Sequence, residues 1–158
     1  MAANLRLGEM SVRVGPWGGE DGSQWQYEIK ADERITGYLV CANSECVYAL
    51  HLNVDPKNQV LKLFGDVGGD RAPGRCDTFN FEDDEHITGF SGTYATNEAG
   101  NTYVTSLSFI TNKQTYGPTG TPRGTSFLLP VTQGKFVGYF GWFSAGLSSL
   151  GAILKATL

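Results

Sequence analysis

The chain has 158 residues, enough for one domain with a real core and too few for two ordinary ones. It is 41% hydrophobic and 18% charged, which excludes a disordered chain, and its 21 Gly and 12% aromatics lean towards a turn-rich all-β fold. The formal net charge of −4, with 12 Lys and Arg scattered along the chain, excludes the basic face of a nucleic-acid or anionic-membrane binder.

The N-terminal MAANLRLGEMSVRVGPW lacks an apolar run of signal-peptide length. A cytoplasmic protein is therefore expected, with residues 1–11 as an extension and 12–158 as the domain. GGEDG (18–22) is the first Gly-rich turn, and WQYEIKA (25–31) the first clear strand. Trp17 and Trp25 are expected to pack inside. ITGY (35–38) and VYALHL (47–52) follow as strands, with Cys41 and Cys46 around the turn between them. With Cys76 the cysteines number three, an odd count that favours reduced, partly buried thiols over a disulfide framework. A Cys41–Cys46 bridge across the short loop stays open.

Past the turn GDVGGD (65–70), DTFNFED (77–83) reads as another strand. EDDEH (82–86) is an acidic cluster that could hold a cation, but its place in a turn favours a solvated charge run. ITGF (87–90) and VTSLSF (104–109) flank the turn TNEAGNT (96–102). After YGPTGTPRG (116–124) comes the strand TSFLLPV (125–131).

Residues 136–154, FVGYFGWFSAGLSSLGAIL, carry no charge over a length that could span a membrane. Four glycines and three serines dilute that run, and each glycine costs a helix about 1 kcal/mol. Two strands, FVGYF and LGAIL, joined by a Gly/Ser-rich loop describe it better.

ITGY, ITGF and FVGY are one motif repeated, each followed by a related strand: VYALHL, VTSLSF and LSSLGA. The motifs begin at Ile35, Ile87 and Phe136, so three units of roughly fifty residues are implied, each with a further strand leading it. Three such units suit a closed, pseudo-three-fold arrangement of small antiparallel sheets, which also removes exposed edges. The glycine within each motif sits mid-strand, where it marks a bulge or a close backbone approach. No Ser-His-Asp, Cys-His or metal-ligand spacing appears: His51 and His86 lack cysteine partners at zinc spacing, so neither an enzyme nor a cofactor is expected.

GPWGGEDG (15–22), EHITGFSGTYA (85–95), VTSLSFITNKQTYGPTG (104–120), GTSFLLPV (124–131) and GKFVGYFG (134–141), in that order, resemble the jacalin-related lectins. The resemblance runs from about Val12 to Leu154. It implies an all-β fold, a β-prism of three four-stranded antiparallel sheets with pseudo-three-fold symmetry. It also implies a cytoplasmic plant lectin for mannose- or glucose-containing glycans, forming dimers or higher oligomers.

The resemblance further places the sugar between the last glycine of the N-terminal loop, Gly22, and a Gly-x-x-x-Asp loop near the C-terminus. There an aspartate grips adjacent hydroxyls by charge-assisted bonds. Aligned without gaps from Gly138 to Gly151, that loop is Ser144, Ala145, Gly146, Leu147 and Ser148, so Ser148 stands where the family has aspartate. The pseudo-symmetric positions hold Tyr48 and Thr105. Asp21, beside Gly22, is the nearest substitute carboxylate in sequence, and Gly69 with Asp70 or Asp66 could build a second site near Tyr48. Each of these aspartates also reads as an ordinary turn residue. Trp142 and Phe143 either offer flat surface to a sugar ring or pack on the sheet. Two functions stay open: a mannose/glucose lectin with an altered pocket, or a β-prism interaction module in defence whose sugar pocket has degenerated.

Overall fold

The computed structural model describes residues 11–56, 58–64, 74–131 and 134–156. Among these, twelve strands run in chain order: β1 (Ser11–Gly18), β2 (Ser23–Glu28), β3 (Arg34–Ala42), β4 (Val47–Asp55), β5 (Asn58–Phe64) and β6 (Arg75–Asn80), then β7 (Ile87–Thr96), β8 (Thr102–Thr111), β9 (Thr115–Gly120), β10 (Thr125–Pro130), β11 (Lys135–Phe143) and β12 (Leu147–Lys155). They form three four-stranded sheets in the orders β1-β12-β11-β2, β5-β4-β3-β6 and β10-β7-β8-β9, with every resolved pairing antiparallel. This is the β-prism. The charge-free stretch falls within β11, β12 and their turn. No helix among the described residues is long and apolar enough to cross a membrane.

The repeat supplies the central hairpin of each sheet: β3–β4, β7–β8 and β11–β12. Its glycines do both things expected of them. The register shifts between Ile35 and Gly37, Ile87 and Gly89, and Phe136 and Gly138. A Cβ on those glycines would also run into the carbonyl oxygens of Phe79, Leu129 and Tyr27 on the adjoining outer strands. The leading strands, however, do not join the pairs they precede. WQYE lies in β2 and pairs with β11, β6 pairs with β3, and β10 pairs with β7. Each fills the free edge of a hairpin from the preceding unit, and the first closes the circle with the last.

The fourth motif residues, Tyr38, Phe90 and Tyr139, converge on the core. Phe90 and Tyr38 each lie edge-on to Tyr139 with ring centroids 5.9 Å apart, and Tyr38 stacks on Phe109 at 4.0 Å. Burial of each such side chain contributes about 1.5–3 kcal/mol. The two tyrosine hydroxyls bond each other, so neither is left unsatisfied in the apolar interior. Trp17 stacks on Phe127 at 5.5 Å, and both Trp17 and Trp25 pack against the core.

Two expectations are corrected. Cys41 is bridged to Cys76, because β3 and β6 place them directly opposite with Cα atoms 4.0 Å apart, and only Cys46 is free. The acidic cluster is also more than a solvated run, since Glu85 is 1% exposed. Its carboxylate accepts from Glu82 N–H at 3.0 Å, Thr111 Oγ1 at 2.6 Å and the Tyr116 hydroxyl at 2.9 Å. The turn before β3 repeats the device, with Lys30 N–H donating to Glu33 Oε1 at 2.7 Å. Glu82, Asp83, Asp84 and His86 are exposed as expected.

Candidate functional site at the loop end of the prism

Each central hairpin carries a second register shift near its turn: between Cys41 and Ala42, Thr93 and Tyr94, and Trp142 and Phe143. The residue left unpaired on the opposite strand is Tyr48, Thr105 or Ser148. The three positions equated from the sequence are therefore the same bulge in three sheets, at the end of the prism where β3, β7 and β11 finish.

Ser148 is fully buried. Its Oγ donates to the Thr102 carbonyl at 2.9 Å and accepts the Asp21 N–H at 3.1 Å. Its own carbonyl accepts Gly19 N–H at 2.9 Å. The Asp21 carboxylate completes a ring, with Oδ2 accepting Thr102 N–H at 2.7 Å. Three loops from distant parts of the chain are thus tied at one hydroxyl. Thr105 works in the same way: it is buried, and its Oγ1 donates to the Arg123 carbonyl at 2.8 Å. At these bulges the small hydroxyl side chain clamps the neighbouring loop.

Gly22 is exposed and has φ of +90°. A side chain there would be strained by the backbone and would strike the Phe143 carbonyl. Glycine is what lets the first loop lie against the 143–144 backbone. The β11–β12 turn is closed by Ser144 N–H donating to the Gly146 carbonyl at 3.0 Å, and its residues grade from half-buried Ser144 and Ala145 to buried Gly146 and Leu147.

The structure therefore brings Asp21, Gly22, Ser144, Ala145 and Ser148 to one end of the molecule. Trp142 sits differently. It lines a groove of about 490 Å³ beside β1 and β2, together with Arg13, Glu20, Gln24 and Trp25. Phe140, two residues back on the same face of β11, lies 5.0 Å under the Arg13 guanidinium. Phe143 packs partly against the core. Tyr48 is half-buried against Gly74, whereas Asp66, Gly69 and Asp70 lie outside the described residues. Thr102 is the residue that sequence reasoning missed. TNEAGNT reads as a plain turn, and nothing local reveals that its last residue meets both Asp21 and Ser148. Among the described residues no three His, Cys, Asp or Glu gather as a metal site.

A family profile described as the jacalin-like lectin domain matches residues 14–153. A mannose/glucose-specific lectin of Parkia pendula is 33% identical over 93% of this chain, which spans about a third (32%) of that relative's length. Jacalin-related lectin 19 of Arabidopsis thaliana is 31% identical over 90% of the chain and 79% of its own. Among solved structures, AcmJRL, a mannose-binding jacalin-related lectin from Ananas comosus, superposes with a TM-score of 0.76 at 28% identity, covering 93% of this chain and 99% of that one. Malaysian banana lectin gives 0.78 at 28% identity, with 94% and 100% covered. With a matching profile over most of its length and relatives that agree with the fold, this chain belongs to the jacalin-like lectin family.

Proposed function

We propose that this protein binds mannose- or glucose-containing glycans at the loop end of the prism, with Asp21 supplying the carboxylate that Ser148 lacks. The observation that carries the reading is the position of Asp21, whose N–H lies 3.1 Å from Ser148 Oγ and whose side chain is half-buried beside Gly22. One carboxylate oxygen is fixed by Thr102 N–H, which orients the other for a sugar hydroxyl. Exposed Gly22 and the half-buried Ser144 and Ala145 add main-chain groups around it. The names of the Parkia and Ananas relatives support mannose or glucose as the sugar. All the relatives reported above are lectins, which favours binding over catalysis.

Calorimetry with methyl α-mannoside, backed by a glycan array, tests this reading. Saturable binding that weakens about 10–100-fold in Asp21→Asn supports it, and a flat response at millimolar sugar overturns it. One observation favours the rival reading of a β-prism that engages a protein through a degenerate pocket. Ser148 is wholly buried, with its hydroxyl already bonded on both sides, so it offers nothing to a ligand. A flat sugar response would leave that reading standing.

A further inference from the structure

The opposite end of the prism, where β3, β7 and β11 begin, carries a second three-fold feature. The first residues of the repeated motif, Ile35, Ile87 and Phe136, together with Ile29, line a cavity of about 240 Å³. Immediately before each motif stands a basic residue: Arg34, His86 and Lys135, and all three also line the cavity. The three sheets thus bring three apolar side chains into one pit and three nitrogenous side chains around it. In a chain whose formal net charge is −4, this places positive charge against the general sign of the molecule.

The local bonding leaves that ring available. Arg34 is held at the rim by Nη2, which donates to the carbonyls of Glu82 at 2.8 Å and Glu85 at 2.9 Å. His86 and Lys135 are exposed, and among the described residues neither takes part in an ion pair. Asp84 feels the Arg34 charge, but the acidic neighbours also have partners of their own. Glu85 is buried and saturated by Thr111, Tyr116 and Glu82 N–H, and Glu33 Oε1 accepts from Lys30 N–H. Glu82 and Asp84 are engaged by Lys113 at 2.8 and 2.6 Å.

From this juxtaposition we infer that the base of the prism is a binding site for a small amphiphilic carboxylate, separate from the sugar loops. The apolar body enters the pit between Ile35, Ile87 and Phe136, and the carboxylate stays at the rim against Lys135, His86 and Arg34. The cavity lies below the roughly 300–1,000 Å³ of drug-sized sites, so one aromatic ring or a short branched chain is the body it takes. Both halves of the ligand are needed. A neutral apolar molecule gains only burial, and a hydrophilic anion gains only screened surface attraction.

The test is a titration of the methyl-labelled protein with phenylacetate and with its neutral counterpart phenylacetamide, followed by NMR at the isoleucine methyls. Saturating shifts centred on Ile29, Ile35 and Ile87 are expected, with a phenylacetate Kd between about 0.1 and 5 mM. Phenylacetamide should bind at least roughly fivefold more weakly, and the double variant Lys135→Gln/His86→Gln should abolish that preference while leaving the melting curve unchanged. Both substituted side chains are exposed, so folding is not at stake. The inference is overturned if phenylacetate produces no saturable shift at about 20 mM, if the amide binds equally well, or if the shifts map to the loop end instead.

Discussion

The backbone N–H of Asp21 donates to Ser148 Oγ at 3.1 Å across a separation of 127 residues, and Thr102 bonds to both partners. The Ser148 hydroxyl is therefore a fastener of three loops. A carboxylate introduced at 148 alone would be buried next to the carboxylate of Asp21, where like charges repel and desolvation penalises both. Ser148→Asp is expected to destabilise the fold by about 2 kcal/mol or more in urea denaturation. The exchange variant Asp21→Ser/Ser148→Asp should recover part of that loss, with a coupling of about 0.5–3 kcal/mol in the double-mutant cycle. Additive effects would show that the two residues do not share a network.

For sugar binding, Asp21→Asn keeps the side chain's shape and its acceptor for Thr102 N–H while removing the charge. Loss of a charge-assisted bond predicts a fall in mannoside affinity of about 10–100-fold. Asn substitution without effect on a measurable affinity would remove Asp21 from the site.

Burial pushes the Glu85 carboxyl up, but the Thr111 hydroxyl, Glu82 N–H, Tyr116 hydroxyl and nearby Lys113 more than offset this and hold it below the usual value. A depressed folded-state value means that the unfolded chain binds the proton more readily. The stabilisation is thus present above the unfolded pKa and is lost as pH falls through the folded one. Glu85→Gln should be less stable at neutral pH and should show a flatter acid limb when stability is plotted below about pH 5. An unchanged acid limb would exclude Glu85 as a contributor.

The Tyr38 and Tyr139 hydroxyls satisfy each other, and burial drives both phenols well above their ordinary pKa. Tyr139→Phe leaves the Tyr38 hydroxyl buried without its partner and should cost about 1–3 kcal/mol. The double change Tyr38→Phe/Tyr139→Phe should cost less than the single one, since Phe90 already fills the third equivalent position. Calorimetric melting of the three proteins checks this order.

Cys46 is buried, and burial with the nearby Glu45 charge pushes its thiol up to about 12, against a lowering by Arg123. With Cys41 and Cys76 bridged, a thiol-reactive dye should label no cysteine in the native protein and one per chain after denaturation without reductant. Three labelled thiols under those conditions would contradict the bridge.

The sequence by itself determined what local pattern can carry. The thrice-repeated motif announced three equivalent hairpins, its glycines announced bulges under close backbone approach, and its aromatic residues supplied the centre of the core. The family's loop pattern could be laid on Gly22 and 144–148, and those residues do meet at one end. Tertiary structure alone decided which outer strand completes which sheet, because the free edge that β2, β6 or β10 fills belongs to a hairpin in another repeat. The same long-range pairing set Cys41 opposite Cys76, which no spacing rule marks. It also buried the Ser148 hydroxyl between Asp21 and Thr102, which no local pattern announces. A side chain's exposure depends on what the other end of the chain places over it, and in this protein Asp21 and Thr102 cover Ser148.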